Sequence, residues 1–356
     1  MRFAGKTLFC LALVVAAACQ SPQQSAPQPA PAAPPVPANL VYVSDERGTE
    51  IVLVDPDAGT VVDRIQVGKR PRGVKISDDG KTLFVALSGS PIGGPNVDEK
   101  TLPPPDRAAD GIGVIDLGTR KILRNLKSGN DPESFDMSPD GNTLYVSNED
   151  AGEMSIVDIP SGNITARVKV GQEPEGVTVR PGGAEVYVTS EGDNTVAVVD
   201  TATRALVARI TMSARPRSVV FTKDGATAFV SNELGKEVTI VDAATHKVAG
   251  TITLTAEPPA IPLPMGLALS SDGKELFVSL GRAASVAVID TAARKVSRTV
   301  TGVGTRPWGI ALSRDGSKLY TANGPSGDMS VIDVASGKVD RKISIGGSPW
   351  GVVVGK

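Results

Sequence analysis

Residues 174–215, PEGVTVRPGGAEVYVTSEGDNTVAVVDTATRALVARITMSAR, hold the unit from which the rest of the chain is built. Four short runs in it, 176–179, 185–189, 196–199 and 206–211, are rich in Val, Thr, Tyr and Ile and bounded by Gly, Pro, Asp or Asn. β-Branched residues suit extended backbone, and the bounding residues supply turn dihedrals. The aspartate that closes the third run returns at Asp55, Asp116, Asp158, Asp200, Asp242, Asp290 and Asp333. Successive gaps of 61, 42, 42, 42, 48 and 43 residues mark seven copies, two with insertions. Four strands every ~40–50 residues predict an all-β, seven-bladed β-propeller with four antiparallel strands per blade.

The copy at each end is incomplete. Residues 40–43, 51–54 and 61–67 read as second, third and fourth strands with no first strand before them. Residues 351–354 read as a first strand with nothing after it, so the C-terminal strand is expected to complete the N-terminal blade and close the ring. Closure removes sheet edges that would otherwise pair with other chains.

Ahead of the repeats the chain changes character. Residues 1–18 combine Arg2 and Lys6, an apolar run at 8–15 and Ala16-Ala17-Ala18, the pattern of an export signal rather than a membrane span. Cys19 follows at once, so the segment resembles a bacterial lipoprotein signal with Cys19 acylated, and Gln20 at the next position resembles outer-membrane sorting. Residues 19–38, apart from Cys19 and Val36, are Pro, Ala, Gln and Ser, with little to bury, and read as a tether to a propeller over 39–356. The expected location is the periplasm or cell envelope, on a lipid anchor, and otherwise outside the cell.

Composition excludes several chemistries. Of two cysteines, Cys10 lies in the leader and Cys19 at its end, so the repeats have no disulfide, thiolate metal site or cysteine nucleophile. The formal net charge is −2, falling to −4 without Arg2 and Lys6, which does not fit a nucleic-acid partner. His246, the only histidine, stands where other copies carry Gly59, Arg120, Gly162, Arg204, Arg294 or Gly337, and is expected to be a solvated turn residue. Without a second histidine, haem ligation, a zinc site and a Ser-His-Asp triad fall away. The carboxylates of Asp131, Glu133, Glu173 and Glu175 have the chemistry for Ca²⁺ but suit neighbouring arginines equally. No metal or cofactor is expected.

Turn residues read as folding devices. Asp-Gly pairs such as Asp140-Gly141, Asp272-Gly273 and Asp315-Gly316 mark the hairpins between first and second strands. The repeating aspartates begin the hairpins between third and fourth strands, where an Asx-type turn is expected. The second strands carry Tyr145-Val-Ser-Asn148, Tyr187-Val-Thr-Ser190, Phe229-Val-Ser-Asn232 and Tyr320-Thr-Ala-Asn323. With the Asp-Gly hairpins and the Val-Ile-Asp strands, these resemble the YVTN family of β-propeller repeats across residues 40–356. Seven such repeats behind an export signal are similar to periplasmic propellers associated with pyrroloquinoline-quinone-dependent alcohol catabolism. That resemblance implies a partner in a quinone-dependent oxidation or transport system.

Strand order separates two faces. Both length irregularities, 88–110 and 256–263, fall on the face formed by second-to-third loops and inter-blade links, and variable loops on a rigid frame are where binding is placed. The links carry a Pro-x-Gly/Ser motif whose middle residues are Arg72, Glu133, Glu175, Arg217, Met265, Trp308 and Trp350. Two positions earlier stand Arg70, Asp131, Glu173, Arg215, Leu263, Arg306 and Ser348. These doublets are expected around the mouth of the central channel as ligand- or partner-binding residues, with the only two tryptophans in neighbouring blades. Acidic and basic doublets that merely pair across blades on the surface are the structural alternative, worth ~0–1 kcal/mol each. The expected function is a non-catalytic, monomeric scaffold presenting this face to an envelope protein or small ligand. The alternatives are a lactonase-like hydrolase that uses the Arg and Glu cluster, and a structural or adhesive surface protein.

Overall fold

A computed structural model describes residues 39–93, 101–257 and 259–356, together with residues 1 and 5. The rest of the leader and tether, Cys19 included, lies outside the described residues. Residues 37–356 form one compact unit.

Seven four-stranded antiparallel sheets make up this unit. The first joins β28 (Pro349–Val354) to β1 (Val41–Asp45), β2 (Glu50–Asp55) and β3 (Thr60–Gln66). The other six take four consecutive strands each and begin at β4 (Pro71–Ile76), β8 (Pro132–Met137), β12 (Pro174–Val179), β16 (Pro216–Phe221), β20 (Pro264–Leu269) and β24 (Pro307–Leu312). The chain is therefore a seven-bladed β-propeller. The expected closure is present: Val41 faces Val354 and Val43 faces Val352 across an antiparallel ladder.

Burial explains the sequence texture of each strand. Second and third strands are sandwiched between neighbouring blades, so both faces are covered and they read as continuous apolar runs, as in Tyr42-Val43 and Ile51–Val54. One side of a strand feeds the interface ahead and the other the interface behind. Leu40 and Tyr42 pack with Leu83 and Val85 of the next blade, whereas Val41 and Val43 pack with Met329 and Val331 of the preceding one. Fourth strands lie at the rim and alternate exposed with partly buried positions, the pattern of one covered face. The repeating aspartates cap turns as expected. Asp158, Asp200, Asp242 and Asp333 each accept the backbone N–H three residues on, at 2.7–2.8 Å.

The first strands begin earlier than the pattern predicts. Residues 176–179 are expected and Pro174–Val179 is found, because the Pro-x-Gly motif is the start of the strand rather than the link before it. Proline costs nothing at that first position. Between Pro174 and Val177 the register with the second strand slips, as it does between Pro71 and Val74 and between Pro307 and Ile310.

That slip is held by the hydroxyl of the Tyr-Val-Ser/Thr motif. Thr189 Oγ1 accepts the Gly176 N–H at 2.8 Å and donates to the Arg217 carbonyl of the next blade at 3.0 Å. Ser44 does the same with Gly351 N–H and Arg72 O, Ser231 with Ser218 N–H and Met265 O, and Ser279 with Gly266 N–H and Trp308 O. Each hydroxyl thus fixes the bulge of its own blade and the carbonyl of the next middle residue. The glycine allows the close approach: a Cβ at Gly176 would stand 2.3 Å from Arg217 O. Gly176→Ala is expected to lower stability by about 1–3 kcal/mol, the usual cost of forcing atoms into a packed site. An unchanged denaturation midpoint would show that the inner strands are not held this closely.

Candidate functional site

The bulges bring the middle residues of all seven blades to the channel mouth, on the face of the second-to-third loops. Going round from the second blade they run Arg72, Glu133, Glu175, Arg217, Met265, Trp308 and Trp350. Four consecutive blades therefore contribute a charged arc, Arg-Glu-Glu-Arg, and the other three an apolar arc. A cavity of about 1220 Å³ opens above the ring, and a chamber of about 270 Å³ lies below it along the inner strands. Glu133, Glu175, Arg217, Trp308 and Trp350 line both.

The arginines of this arc are buried, which corrects the alternative of exposed surface pairs. Arg72 is 1% exposed and Arg217 is 5% exposed. Arg72 Nη2 donates to Asp131 and, at 2.8 Å, to Pro132 O, while Nη1 meets Glu133 and, at 3.3 Å, Glu149. Arg217 Nε donates to Glu233 at 2.7 Å, and its Nη1 meets Glu175 and, at 3.0 Å, Glu191. Each buried guanidinium thus has three carboxylates around it. Arg70, at 2.7 Å from Glu46, and Arg215, at 2.6 Å from Glu191, add an outer positive charge to each cluster.

Four of these acids were not anticipated. Glu46, Glu149, Glu191 and Glu233 each follow directly on a second-strand motif, in Val-Ser-Asp-Glu46, Val-Ser-Asn-Glu149, Val-Thr-Ser-Glu191 and Val-Ser-Asn-Glu233. That recurrence is the signal that could have found them. Their backbone N–H groups bond the carbonyls of Ser348, Asp131, Glu173 and Arg215, the residues two before the middle ones. This pairing holds Asp131, Glu173 and Arg215 at φ of 54°, 48° and 65°, a left-handed conformation rare for residues with side chains. Strain of this kind collects where structure around a site over-determines the backbone.

Surplus acid in a dry place changes protonation. Burial pushes the Glu133 carboxyl well above its ordinary range, with Glu149 and Glu175 adding to the effect of burial against the pull of Arg72. Burial likewise pushes Glu175 up to about 8, against Arg217 and with help from Glu191 and Glu149. Arg217 does not hold Glu175 ionised because its one charge is shared among three carboxylates. For Arg72 and Arg217 burial works against the charge, but the surrounding carboxylates more than offset it and keep both firmly protonated.

The opposite side of the mouth carries a different arginine. Among the described residues Arg306 has no carboxylate within ion-pair distance. Its guanidinium lies 4.9 Å above the Trp308 ring, and Arg217 lies 5.0 Å from the same ring. Burial lowers its pKa, and Arg217, Arg282 and Arg215 lower it further against Glu233. A cation so placed is electrostatically unsatisfied. Trp308 and Trp350 stack with centroids 5.6 Å apart and planes 22° apart, both partly exposed to the cavity. Met265 is buried and lines the lower chamber only.

One expected residue stands apart: Glu173 is exposed and outside the cavity lining. The described residues of the inserted link at 256–263 are outside that lining too, with Pro262 and Leu263 buried. The described residues of the other insertion do form a wall: Pro91, Ile92, Leu102 and Pro103 face the cavity, and Arg107 pairs with Asp110 and Asp150. His246 has φ 55°, in the same turn position as Arg204 and Arg294, and lies on the opposite face. It is not simply solvated, because Nε2 is 2.8 Å from Glu185 Oε1. Among the described residues no group of three or more His, Cys, Asp or Glu is arranged to hold a metal ion.

Two family models match the chain, each over just under half its length. Residues 36–208 match the Choice-of-anchor I domain, and residues 177–349 match the family described as lactonase, 7-bladed beta-propeller. A stretch of 109 residues, 31% of this chain, is 30% identical to Antigen Lp49 of Leptospira interrogans and spans 23% of that protein. Among solved structures, Pseudomonas aeruginosa periplasmic gluconolactonase PpgL superposes with a TM-score of 0.71 at 19% identity, over 89% of this chain and 99% of that one. Kuenenia stuttgartiensis hydrazine synthase superposes with a TM-score of 0.70 at 22% identity, over 83% and 92%. At these identities the likeness is one of fold. The lactonase match takes in Arg215, Arg217, Met265, Arg306 and Trp308. It overturns the expectation of a non-catalytic presenting scaffold and favours the alternative, a propeller lactonase-type enzyme.

Proposed function

We propose that the chain hydrolyses a lactone in the axial cavity, with Arg306 as the cation that receives the carbonyl oxygen. The observation that carries this reading is the unpaired Arg306 guanidinium beside the tryptophan pair, across the mouth from two buried carboxyls of raised pKa. Lactone opening needs three things there: a base for water, a positive site for the developing oxyanion, and a proton for the departing ring oxygen. Glu175, with a pKa of about 8, has a minor ionised fraction at neutral pH and is the base. Glu133, which titrates well above its ordinary range, keeps its proton and is the acid.

The step balances. Water oxygen bonds to the carbonyl carbon while Glu175 takes the water proton. The ring C–O bond then breaks as Glu133 protonates the alkoxide, giving a hydroxy acid whose carboxyl releases its proton to solvent and lies at Arg306 as the carboxylate. Proton exchange with solvent resets the two carboxyls. Preorganised positive charge in a water-poor site is the larger contribution, since a single oxyanion donor is worth about 10²–10³ in kcat.

The test is acid release in a pH-stat from γ- and δ-lactones, with wild type and Arg306→Gln. Wild type is expected to release acid above the uncatalysed rate, and the variant to lose about 10²–10³ in kcat. Wild type that turns over no lactone, or a variant with full kcat, would contradict the proposal.

A further inference from the structure

We infer that the lactone taken here carries an apolar alkyl or aryl substituent rather than a polyhydroxylated ring. This rests on the reading of the site as a lactone hydrolase and names its substrate class. The cavity, at about 1220 Å³, exceeds the ~300–1,000 Å³ usual for small-ligand sites, so a bare small ring would leave most of it filled with water.

The lining says what fills the remainder. A polyhydroxylated ring buries several hydroxyls, and each needs a partner or costs free energy. Among the described lining residues the neutral hydroxyl or amide side chains are Ser90 and Ser348. Ser90 Oγ is already engaged, at 3.1 Å from Arg107 and 3.3 Å from Asp150. The carboxyls of the charged arc stand against its guanidiniums, Glu133 at Arg72 and Glu175 at Arg217, and serve the reacting ring rather than a set of further hydroxyls.

Apolar surface, by contrast, is offered on two sides. The stacked Trp308 and Trp350 form one wall, and Ile92, Leu102 and the adjoining prolines form another. Ile92 keeps 37% of its surface exposed, and a ligand in the cavity would cover part of it. A substituent reaching from a lactone head at Arg306 runs along the tryptophan pair, because Arg306 already lies on Trp308. The substituent then supplies the contact that orients the head.

The chain has only two tryptophans, so intrinsic fluorescence reports on this wall alone, whether or not turnover occurs. Wild type is titrated with γ-butyrolactone, γ-octalactone, γ-decalactone and δ-gluconolactone, and with the alkyl lactams that match the first three, while kcat/KM is measured for the lactones. Each added methylene is expected to tighten quenching and raise kcat/KM about three- to four-fold. Trp308→Ala with Trp350→Ala is expected to flatten that slope. Trp350→Phe, which keeps an aromatic face, retains most of it and guards against a double variant that fails to fold. Turnover independent of chain length, or fastest with δ-gluconolactone, overturns the substrate class and leaves lactone hydrolysis standing. Quenching that grows with chain length but without turnover upholds the apolar subsite and overturns hydrolysis. Neither quenching nor turnover overturns both.

Discussion

Removal of residues 349–356 is expected to abolish the folded monomer. The segment is the innermost strand of the first blade, and its ladder with Val41–Asp45 ties the C-terminal end of the chain into the N-terminal blade. Val352 and Val354 pack between the seventh and first blades, and Val353 between the first and second. Ser44 Oγ would lose the Gly351 N–H that it accepts at 2.8 Å. At about 1.5–3 kcal/mol for each apolar side chain fully returned to water, the partly buried valines and Trp350 together amount to about 5 kcal/mol. Total stability of a domain is about 5–15 kcal/mol, so little remains. The open ring also has an unpaired strand edge, which favours aggregation. Gel filtration and thermal melting check this. A truncated monomer melting within a few degrees of the full chain would show that the ring closes by other means.

Arg72→Met is expected to lower stability by about 3–5 kcal/mol, although it replaces a charged side chain with an apolar one of similar length. The arginine is 1% exposed, and its loss leaves Asp131, Glu133 and Glu149 with the outer Arg70, 3.8 Å from Asp131, in place of the buried counter-charge. An uncompensated buried charge costs far more than the intact pair contributes. Arg217→Met repeats the experiment on Glu175, Glu191 and Glu233. Adding Asp131→Asn to Arg72→Met removes one of the stranded charges and recovers part of the loss. Urea denaturation gives the numbers. If Arg72→Met has the wild-type midpoint, the cluster is hydrated and the raised pKa values of Glu133 and Glu175 have no basis.

Repetition made most of this legible in the sequence. One position followed across seven copies places Arg72, Glu133, Glu175, Arg217, Met265, Trp308 and Trp350 around one channel, and the closing strand follows from the same repetition. Glu46, Glu149, Glu191 and Glu233 escaped because the comparison stopped at the last residue of the Tyr-Val-Ser-Asn motif, one position short of them. Burial of Arg72 and Arg217 was not legible, since charged residues are seldom buried and composition does not record which ones are. Nor was the isolation of Arg306: it stands at the same repeat position as Arg70 and Arg215, but those two have Glu46 and Glu191 within reach. In the sixth and seventh blades glycines, Gly281 and Gly324, stand where the acids stand elsewhere. His246 was assigned to the correct turn, and its contact with Glu185 arises from a strand 61 residues away that local sequence does not reveal.

The central claim is that lactone chemistry runs on the buried carboxyls of the charged arc. The direct measurement is the pH profile of kcat/KM for lactone hydrolysis in wild type and in Glu175→Gln. Burial raises the Glu175 pKa to about 8, and a base acts only when deprotonated. Wild-type kcat/KM is therefore expected to rise about ten-fold per pH unit below that value and level off above it. Glu175→Gln should lose the rise together with most of the rate, since a positioned acid or base contributes typically about 10²–10⁴-fold. A variant with the wild-type rate and the wild-type profile would place the chemistry elsewhere on the molecule.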